Sequence, residues 1–264
     1  MDDMFELDEM AYRSAALRWS PAGKFVLALT MLVASLLANT LVVPLLVLLV
    51  GTILLGYSVR FRFPKVIGAL VLEGIGIMVL GGAVIAAVTP GETVWAIDLA
   101  LLKITFSGEG ITTASMVTLR ALAGISVMLF FATSTPIPHF ADMLVRFKVP
   151  KLFAELMVMV YKYSFMLLDE VGRMHLAAEC RLGFHGRMNT LRTYAKMMTG
   201  MFIRSIETSE RSNIGMQCRN YQGGVGMLRQ PQGMSAPWAV LCLAVFLALL
   251  ELNLFCERCG ILLG

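Results

Sequence analysis

The sequence predicts an all-α integral membrane protein of about five transmembrane helices with long amphipathic cytoplasmic helices. Three observations carry that expectation. Hydrophobic residues make up 58% of the 264-residue chain and charged residues 15%, and the mean hydropathy of +0.75 lies far outside the range of soluble domains. The apolar residues fall in long uninterrupted runs, and a backbone in lipid must satisfy its own polar groups, so each run is expected to be a helix. The basic residues are gathered on alternate sides of those runs.

The elements follow in order. Residues Met1 to Met10 carry Asp2, Asp3, Glu6, Asp8 and Glu9, whereas a secretory leader needs a basic start. Phe25 to Ala38 and Leu41 to Tyr57 are nearly pure apolar runs split by Asn39-Thr40. Together they measure about 50 Å as continuous helix, too long for one crossing of a ~30 Å hydrocarbon layer and short for two. A tight hairpin of two helices is therefore expected. Val66 to Val88 is a third span, with Gly74, Gly76, Gly81 and Gly82 permitting close helix approach. Thr89 to Gly110 reads as a loop or interfacial segment, and Ile111 to Thr133 as a fourth span ended by Thr135-Pro136. Ala236 to Leu254 is the last span.

Between Pro136 and Pro237 the chain becomes charged yet keeps apolar residues at helical spacing, the pattern of amphipathic helices. After Pro150, Phe153, Leu156, Val160, Tyr163, Leu167, Val171 and Met174 recur every three or four positions. A second helix is expected from Thr190 to Arg219, with Tyr194, Met197, Met201 and Ile206 on one side and the i,i+4 pair Glu207 and Arg211 on its polar side. Gly-rich Gln222 to Gln232 would link it to the last span. This divides the chain into N-terminal transmembrane helices (1–135), a cytoplasmic helical region (136–235) and a C-terminal transmembrane helix with its tail (236–264).

Thirteen basic residues lie between Pro136 and Pro237, and Arg13, Arg18, Lys24, Arg60, Arg62 and Lys65 flank the first three spans on that same side. The opposite loops hold Lys103, and the C-terminal tail adds Arg258. The positive-inside rule then places the N-terminus and the amphipathic region in the cytoplasm of a multi-pass protein of the cell membrane. The net charge of +4 is thereby explained by topology, with no nucleic acid called for.

The catalytic inventory is poor. No Walker lysine loop, GxSxG, HExxH or paired-cysteine zinc framework occurs, and neither a cofactor nor a bound metal is expected. His139, His175 and His185 are too far apart for a helical metal pair. Cys180, Cys218, Cys242, Cys256 and Cys259 are scattered and odd in number, which fits a reducing compartment. Cys256 and Cys259 form a lone CxxC without a second pair. Glu73 and Arg120 fall at lipid depth, where ionisable groups are costly. They could pair with each other, but Glu73 lies about 10 Å and Arg120 about 20 Å from the inner face. The alternatives are a structural polar contact inside the bundle, or snorkelling.

The informative feature is a pair of helix ends. One reads Ala177-Ala178-Glu179-Cys180-Arg181-Leu182-Gly183, and the other runs from Ser209-Glu210-Arg211 to Met216-Gln217-Cys218-Arg219-Asn220-Tyr221. Each ends in a small residue and an arginine, 38 positions apart. A lone arginine there could simply complement a helix dipole. Two such endings in one cytoplasmic segment point to docking, because a guanidinium offers a planar fork to carboxylates or to helix C-terminal carbonyls.

On these residues the chain resembles the transmembrane T component of energy-coupling factor (ECF) transporters, most closely the cobalt-type CbiQ family. Met10-Ala11-Tyr12-Arg13-Ser14, Pro21-Ala22-Gly23-Lys24, Thr133-Ser134-Thr135-Pro136 and Lys148-Val149-Pro150 also carry the resemblance. The stretches ending at Arg181 and Arg219 look like the family's two Ala-Arg-Gly coupling motifs. Here Cys180 and Cys218 replace the alanine, and Leu182 and Asn220 the glycine. The resemblance implies an all-helical subunit whose cytoplasmic helices dock on a pair of ABC-type ATPase subunits. It also implies a separate membrane substrate-capture subunit, often with a small accessory membrane subunit, and cobalt(II) uptake supporting cobalamin synthesis. Arg181, Arg219, Cys180, Cys218, Glu210 and Arg211 would form the ATPase-coupling ends, and Tyr163, Leu167, Met197 and Met201 would face the capture subunit. Nickel or a vitamin as cargo, an intramembrane enzyme using Glu73, Arg120 and a histidine, and a plain assembly scaffold are the competing readings.

Overall fold

The structure, a computed structural model, describes residues 11–59, 65–89, 93–99, 102–221 and 236–258. The acidic opening segment, Arg60, Arg62, the Gly-rich link and Cys259 lie outside the described residues. Two compact units divide the chain. One takes the residues up to Pro136 together with those from Pro231 onward, and the other runs from Ile137 to Gln230.

The first unit opens with a single 3-10 turn, Ala15–Arg18, followed by α1 (Pro21–Leu37), α2 (Val42–Ser58) and α3 (Lys65–Val88). A hairpin of β1 (Thr93–Leu99) and β2 (Leu102–Ser107) leads to α4 (Gly108–Ser134). The C-terminal helix α8 (Ala236–Arg258) completes this unit. These five helices are the five expected spans. α4 and α8 contain stretches, Gly110–Ser134 and Trp238–Cys256, that are long and apolar enough to cross a membrane. Their neighbours α1 and α2 are shorter, at 17 residues each, or about 25 Å of rise. The segment expected to be a loop instead carries the antiparallel hairpin, with Ile97 opposite Ile104 and Asp98 opposite Lys103. Its signal was present: Thr93-Val94-Trp95 and Ile104-Thr105-Phe106 are β-branched and aromatic, the residues that fit a pleated surface.

Helix α4 is the centre of the bundle and packs against α1, α2 and α3. Ala123, Val127 and Phe130 on α4 are buried against Leu27, Ala28 and Met31 of α1, Val43, Val47 and Leu55 of α2, and Cys242 of α8. Large apolar side chains turn the other way: Leu36, Leu72, Leu80 and Val240 are each about two-thirds exposed or more. That inverted pattern suits hydrocarbon as the solvent, where an outward leucine costs nothing.

Of the four glycines expected to bring α3 close to a neighbour, Gly82 meets Thr118 and Gly74 meets Ile125 on α4, whereas Gly76 and Gly81 face open space. The closest approach to a neighbouring backbone is at Gly110, where an added Cβ would sit 2.8 Å from the oxygen of Ala86. Gly110→Ala is therefore expected to destabilise the bundle by about 1–3 kcal/mol, since a backbone cannot step aside as a side-chain end can. Gly81→Ala should not lower stability, because the site is open and alanine is the better helix former. Thermal unfolding of both variants in detergent checks the contrast.

Three aromatic side chains mark the end of the bundle at which α1 and α8 begin and α2 and α4 finish. Trp19 stacks on Tyr57 at 5.6 Å and tilts against Trp238 at 5.1 Å. Beside them lies a buried polar knot. The Ser14 hydroxyl is 3.0 Å from that of Ser58, which is 3.4 Å from Thr133, while Lys24 Nζ donates to the carbonyl of Ser134, the last residue of α4. Lys24 is 2% exposed. Ser20 caps α1 by accepting from the Gly23 amide, with Pro21 at the first helical position.

The second unit contains α5 (Ile137–Arg146), α6 (Lys151–Cys180) and α7 (Arg187–Cys218). The short α5 is an element that apolar spacing did not separate from its successor. α7 starts at Arg187, three residues ahead of the expected Thr190. In α5, burial holds the Asp142 carboxyl above its ordinary range, against the lowering pull of Arg146 and His139.

Candidate functional site

Helices α6 and α7 form an antiparallel pair joined by the turn at Arg181 to Gly186. Side-chain contacts trace it from one end to the other. Tyr221 donates to Glu155 at 3.1 Å, Tyr163 shares a hydrogen bond with Ser212, Arg204 pairs with Glu170, and Thr193 donates to the carbonyl of Gly183 at 2.7 Å. At the turn, Phe184 stacks on His175 at 4.6 Å and meets Tyr194 at 5.3 Å. The pair buries little. α7 has no buried residue, and Ala154 is the single one on α6 among the described residues.

The two arginines occupy matching places at opposite ends of this pair. α6 ends at Cys180 with Arg181 as its C-cap residue (φ −97°, ψ 13°), and α7 ends at Cys218 with Arg219 as its C-cap (φ −94°, ψ 13°). Each cap is followed by a residue in the left-handed region, Leu182 and Asn220, both at φ 54°. After α6, the Gly183 amide bonds to Ala178 O and the Leu182 amide to Glu179 O, both at 2.9 Å. After α7, the Tyr221 amide bonds to Met216 O and the Asn220 amide to Gln217 O, both at 3.0 Å. These are two complete Schellman motifs, in which a left-handed residue lets two amides turn back onto otherwise orphaned carbonyls. The glycine of the resembled triplet would fall at the left-handed position. Its loss does not change the backbone here: leucine and asparagine adopt the same turn. A third copy ends α5, with Lys148 at φ 66° and its amide bonded to Val145 O at 3.1 Å.

Leucine is a poor residue for that position, because its Cβ crowds the following carbonyl at a cost of roughly 1–2 kcal/mol. Leu182 is also 76% exposed, so it loses no packing when removed. Leu182→Gly is expected to stabilise the α6 end by about 0.5–1 kcal/mol after the extra freedom of unfolded glycine is subtracted. Slower hydrogen exchange at the Gly183 amide would register it, and faster exchange would contradict the account.

Arg181, Arg219, Cys180, Cys218, Glu210 and Arg211 are all exposed. Arg211 pairs with Glu207 at 3.6 Å, as the i,i+4 spacing led one to expect, and its Nε donates to the Glu207 carbonyl at 3.3 Å. Tyr163, Leu167, Met197 and Met201 are half-buried. A more exposed apolar stripe on α7 comprises Leu191, Tyr194, Met198, Phe202 and Ile206, one i+3 or i+4 step apart. Half-buried positions look alike in a helical pattern until the partner helix is placed.

In the first unit the intramembrane charges do not meet. Glu73 is exposed on α3, while Arg120 donates to the carbonyl of Ala38, the C-cap of α1, and reaches Met116 Sδ at 3.7 Å. The α1 and α2 helices are short enough that their connecting turn lies level with Arg120. The other side of that turn is held by Asn253 of α8, whose Oδ1 accepts from the Asn39 amide at 3.2 Å and from Thr40 Oγ1 at 3.3 Å. Sequence reasoning passed over Asn253 and did not foresee that Lys24 would be buried on a helix end. The available signal was a polar residue inside an apolar run, read together with the Asn39-Thr40 break. Among the described residues no cluster of three His, Cys, Asp or Glu side chains could hold a metal ion.

Comparison with known proteins gives a consistent answer. The family described as CbiQ, cobalt transport protein, matches residues 13–231. An uncharacterised protein of Methanocaldococcus jannaschii is 30% identical over 91% of this chain and 89% of its own length. A putative fused cobalt transport protein CbiMQ of Methanocorpusculum labreanum is 27% identical over 71% of this chain and 31% of its own length. The cobalt transport protein CbiQ of Rhodobacter capsulatus is 29% identical over 53% of this chain, and the match covers 57% of that protein. With the family match running from before α1 to past the end of α7, this chain belongs to the CbiQ cobalt transport protein family.

Proposed function

We propose that this chain is the membrane-embedded coupling subunit of an ATP-driven importer of the ECF type, without catalysis of its own. The observation that carries the reading is the repeated helix ending: two exposed arginines, each on the same cap geometry, at opposite ends of one antiparallel pair. From the Tyr221–Glu155 contact to the turn, the pair is roughly 40 Å long at ~1.5 Å per residue. One arginine at each end suits two separate grooves, one on each of two ATPase subunits. When those subunits close on ATP, the anchored ends are driven relative to each other and the helices between them move. The exposed stripe of Leu191, Tyr194, Met198, Phe202 and Ile206 would then change its presentation to a membrane subunit that captures the cargo. Flexible methionines suit such repacking.

The N-terminus and the α5–α7 unit would lie in the cytoplasm, following the distribution of basic residues. The names of the relatives support cobalt(II) as cargo, and the fused CbiMQ relative supports a membrane partner. Purification of the tagged chain with a co-expressed ATPase subunit tests the reading. Retention by the wild type supports it, and a well-folded wild type that never retains an ATPase subunit would sink it.

A further inference from the structure

Near the middle of the contact between α6 and α7 lies an ion-pair cluster centred on Glu170. That carboxylate is held by Arg204 from the opposite helix and by Arg173 of its own helix at 3.0 Å. Its side chain is 19% exposed, against 58% for Arg204 and 72% for Arg173, so the acid is the sheltered member of the trio. Glu207 lies one turn beyond Arg204 on α7, in the i+3 relation that lets two side chains meet. Around them is a groove of about 710 Å³ lined by Tyr163, Leu167, Glu170, Arg173, Arg204 and Glu207, among others.

We propose that Glu170 is the pivot of the coupling helices, a positioning residue whose exchangeable pairing with Arg204 lets the two helix ends move while α6 and α7 stay joined. The inference rests on the coupling reading given above and names a part of the machinery within it. Three arguments lead to it. The first is placement. Arg181 lies 11 residues past Glu170 on α6 and Arg219 lies 15 past Arg204 on α7, so the arms are about 16 and 22 Å long. The clasp is thus near the middle of the lever.

The second argument is the looseness of the seam. α7 buries no side chain, and the groove beside the clasp leaves room for rotation. A packed apolar seam would resist such motion, because interdigitated side chains shift only in discrete steps. The third is reversibility. When Arg204 leaves, Glu170 keeps Arg173, and Arg204, already 58% exposed, is met by water and by Glu207 on its own helix, which it would share with Arg211. No sheltered charge is stranded at any stage, which removes the main cost of breaking an ion pair. The Tyr163–Ser212 hydrogen bond, two turns towards the Arg219 end, keeps the register as the pair rotates.

The test uses the full chain assembled with its ATPase and capture subunits in proteoliposomes, reading cobalt(II) uptake and ATP hydrolysis together. Glu170→Gln and Arg204→Gln are expected to retain the ATPase subunits and hydrolyse ATP, yet to move about fivefold less cobalt(II) per ATP. The double variant Glu170→Gln/Arg204→Gln should lose no more than either single variant, because a double-mutant cycle isolates the interaction. Uptake per ATP within about twofold of wild type in both single variants overturns the pivot, as does a double variant in which the two losses simply add. Loss of the ATPase subunits in Glu170→Gln also overturns it, since the residue would then serve docking.

A second measurement needs no partner. Spin labels on the exposed Cys180 and Cys218, with the remaining cysteines replaced, report the distance between the two ends in the chain alone. The distribution should broaden in Glu170→Gln and broaden no further in Glu170→Gln/Arg204→Gln. An unchanged distribution sinks the pivot whatever the ATPase does. Failure of the wild type to bind ATPase subunits, with the distance result intact, would instead remove the coupling reading.

Discussion

The Arg181→Ala/Arg219→Ala variant is expected to lose its ATPase subunits on purification while remaining folded. Both side chains are exposed and lie on the last cap of a helix, so their removal takes away no packing. The Schellman bonds are made by backbone amides and survive the substitution. What is lost is the fork of donors that each end offers a partner. Truncating an interface arginine of this kind costs about 2 kcal/mol or more, roughly thirtyfold in affinity for each end. The single variants should each retain a weakened complex, because the two ends act at separate grooves and their effects add. Arg181→Lys and Arg219→Lys should fall between, since an ammonium keeps the charge but not the planar fork. Pull-down of the ATPase subunits at matched expression, with circular dichroism as the check on folding, reads all of these. Full retention by the double variant would mean that the arginines only complement their helix dipoles.

The largest effect on stability is expected at Asn253→Leu. Asn253 is 8% exposed, and Thr40, whose hydroxyl it accepts, is 1% exposed. Leucine leaves the buried Thr40 hydroxyl and the part-buried Asn39 amide without their acceptor. An orphaned buried donor costs about 1–3 kcal/mol, so a loss of about 2 kcal/mol or more is expected, read as a lower Tm in detergent. Adding Thr40→Val should return part of it, because removing both partners of a hydrogen bond is cheaper than removing one. Glu73→Gln serves as the control and should leave Tm unchanged, given that Glu73 is exposed on α3 and apart from this turn.

These predictions divide along the line between what could and could not be read from the residues. The spans could be read, because an apolar run in lipid has one way to satisfy its backbone, and α1, α2, α3, α4 and α8 follow from that. The Glu207–Arg211 pair could be read, because both partners sit on one helix at fixed spacing. The β1–β2 hairpin had a legible signal in its β-branched and aromatic residues, overlooked because the segment also holds Pro90, Gly91 and three acids.

Arg120 was different in kind. Charges are visible in a sequence and invite pairing with other charges, yet the depths of Glu73 and Arg120 spoke against that pair and left a polar contact inside the bundle with no partner named. The partner in the structure is a carbonyl at a helix end, a vacancy that exists only once α1 stops and α4 passes beside it. Lys24 repeats the relation in reverse, capping the end of α4 from the start of α1. The two contacts are reciprocal because α1 and α4 run antiparallel, each placing a cation at the negative end of the other's dipole.

The residue sequence alone therefore determined the helical class, the five apolar spans and the two arginine endings, since each depends on composition or on spacing within one element. Tertiary structure decided which polar groups close the α1–α2 turn, which apolar residues on α7 stay exposed, and that Glu170 meets Arg204. Those contacts join residues from 34 to more than 200 positions apart. Local propensity is silent about them, and only the packing of whole helices fixes which groups are left needing a partner.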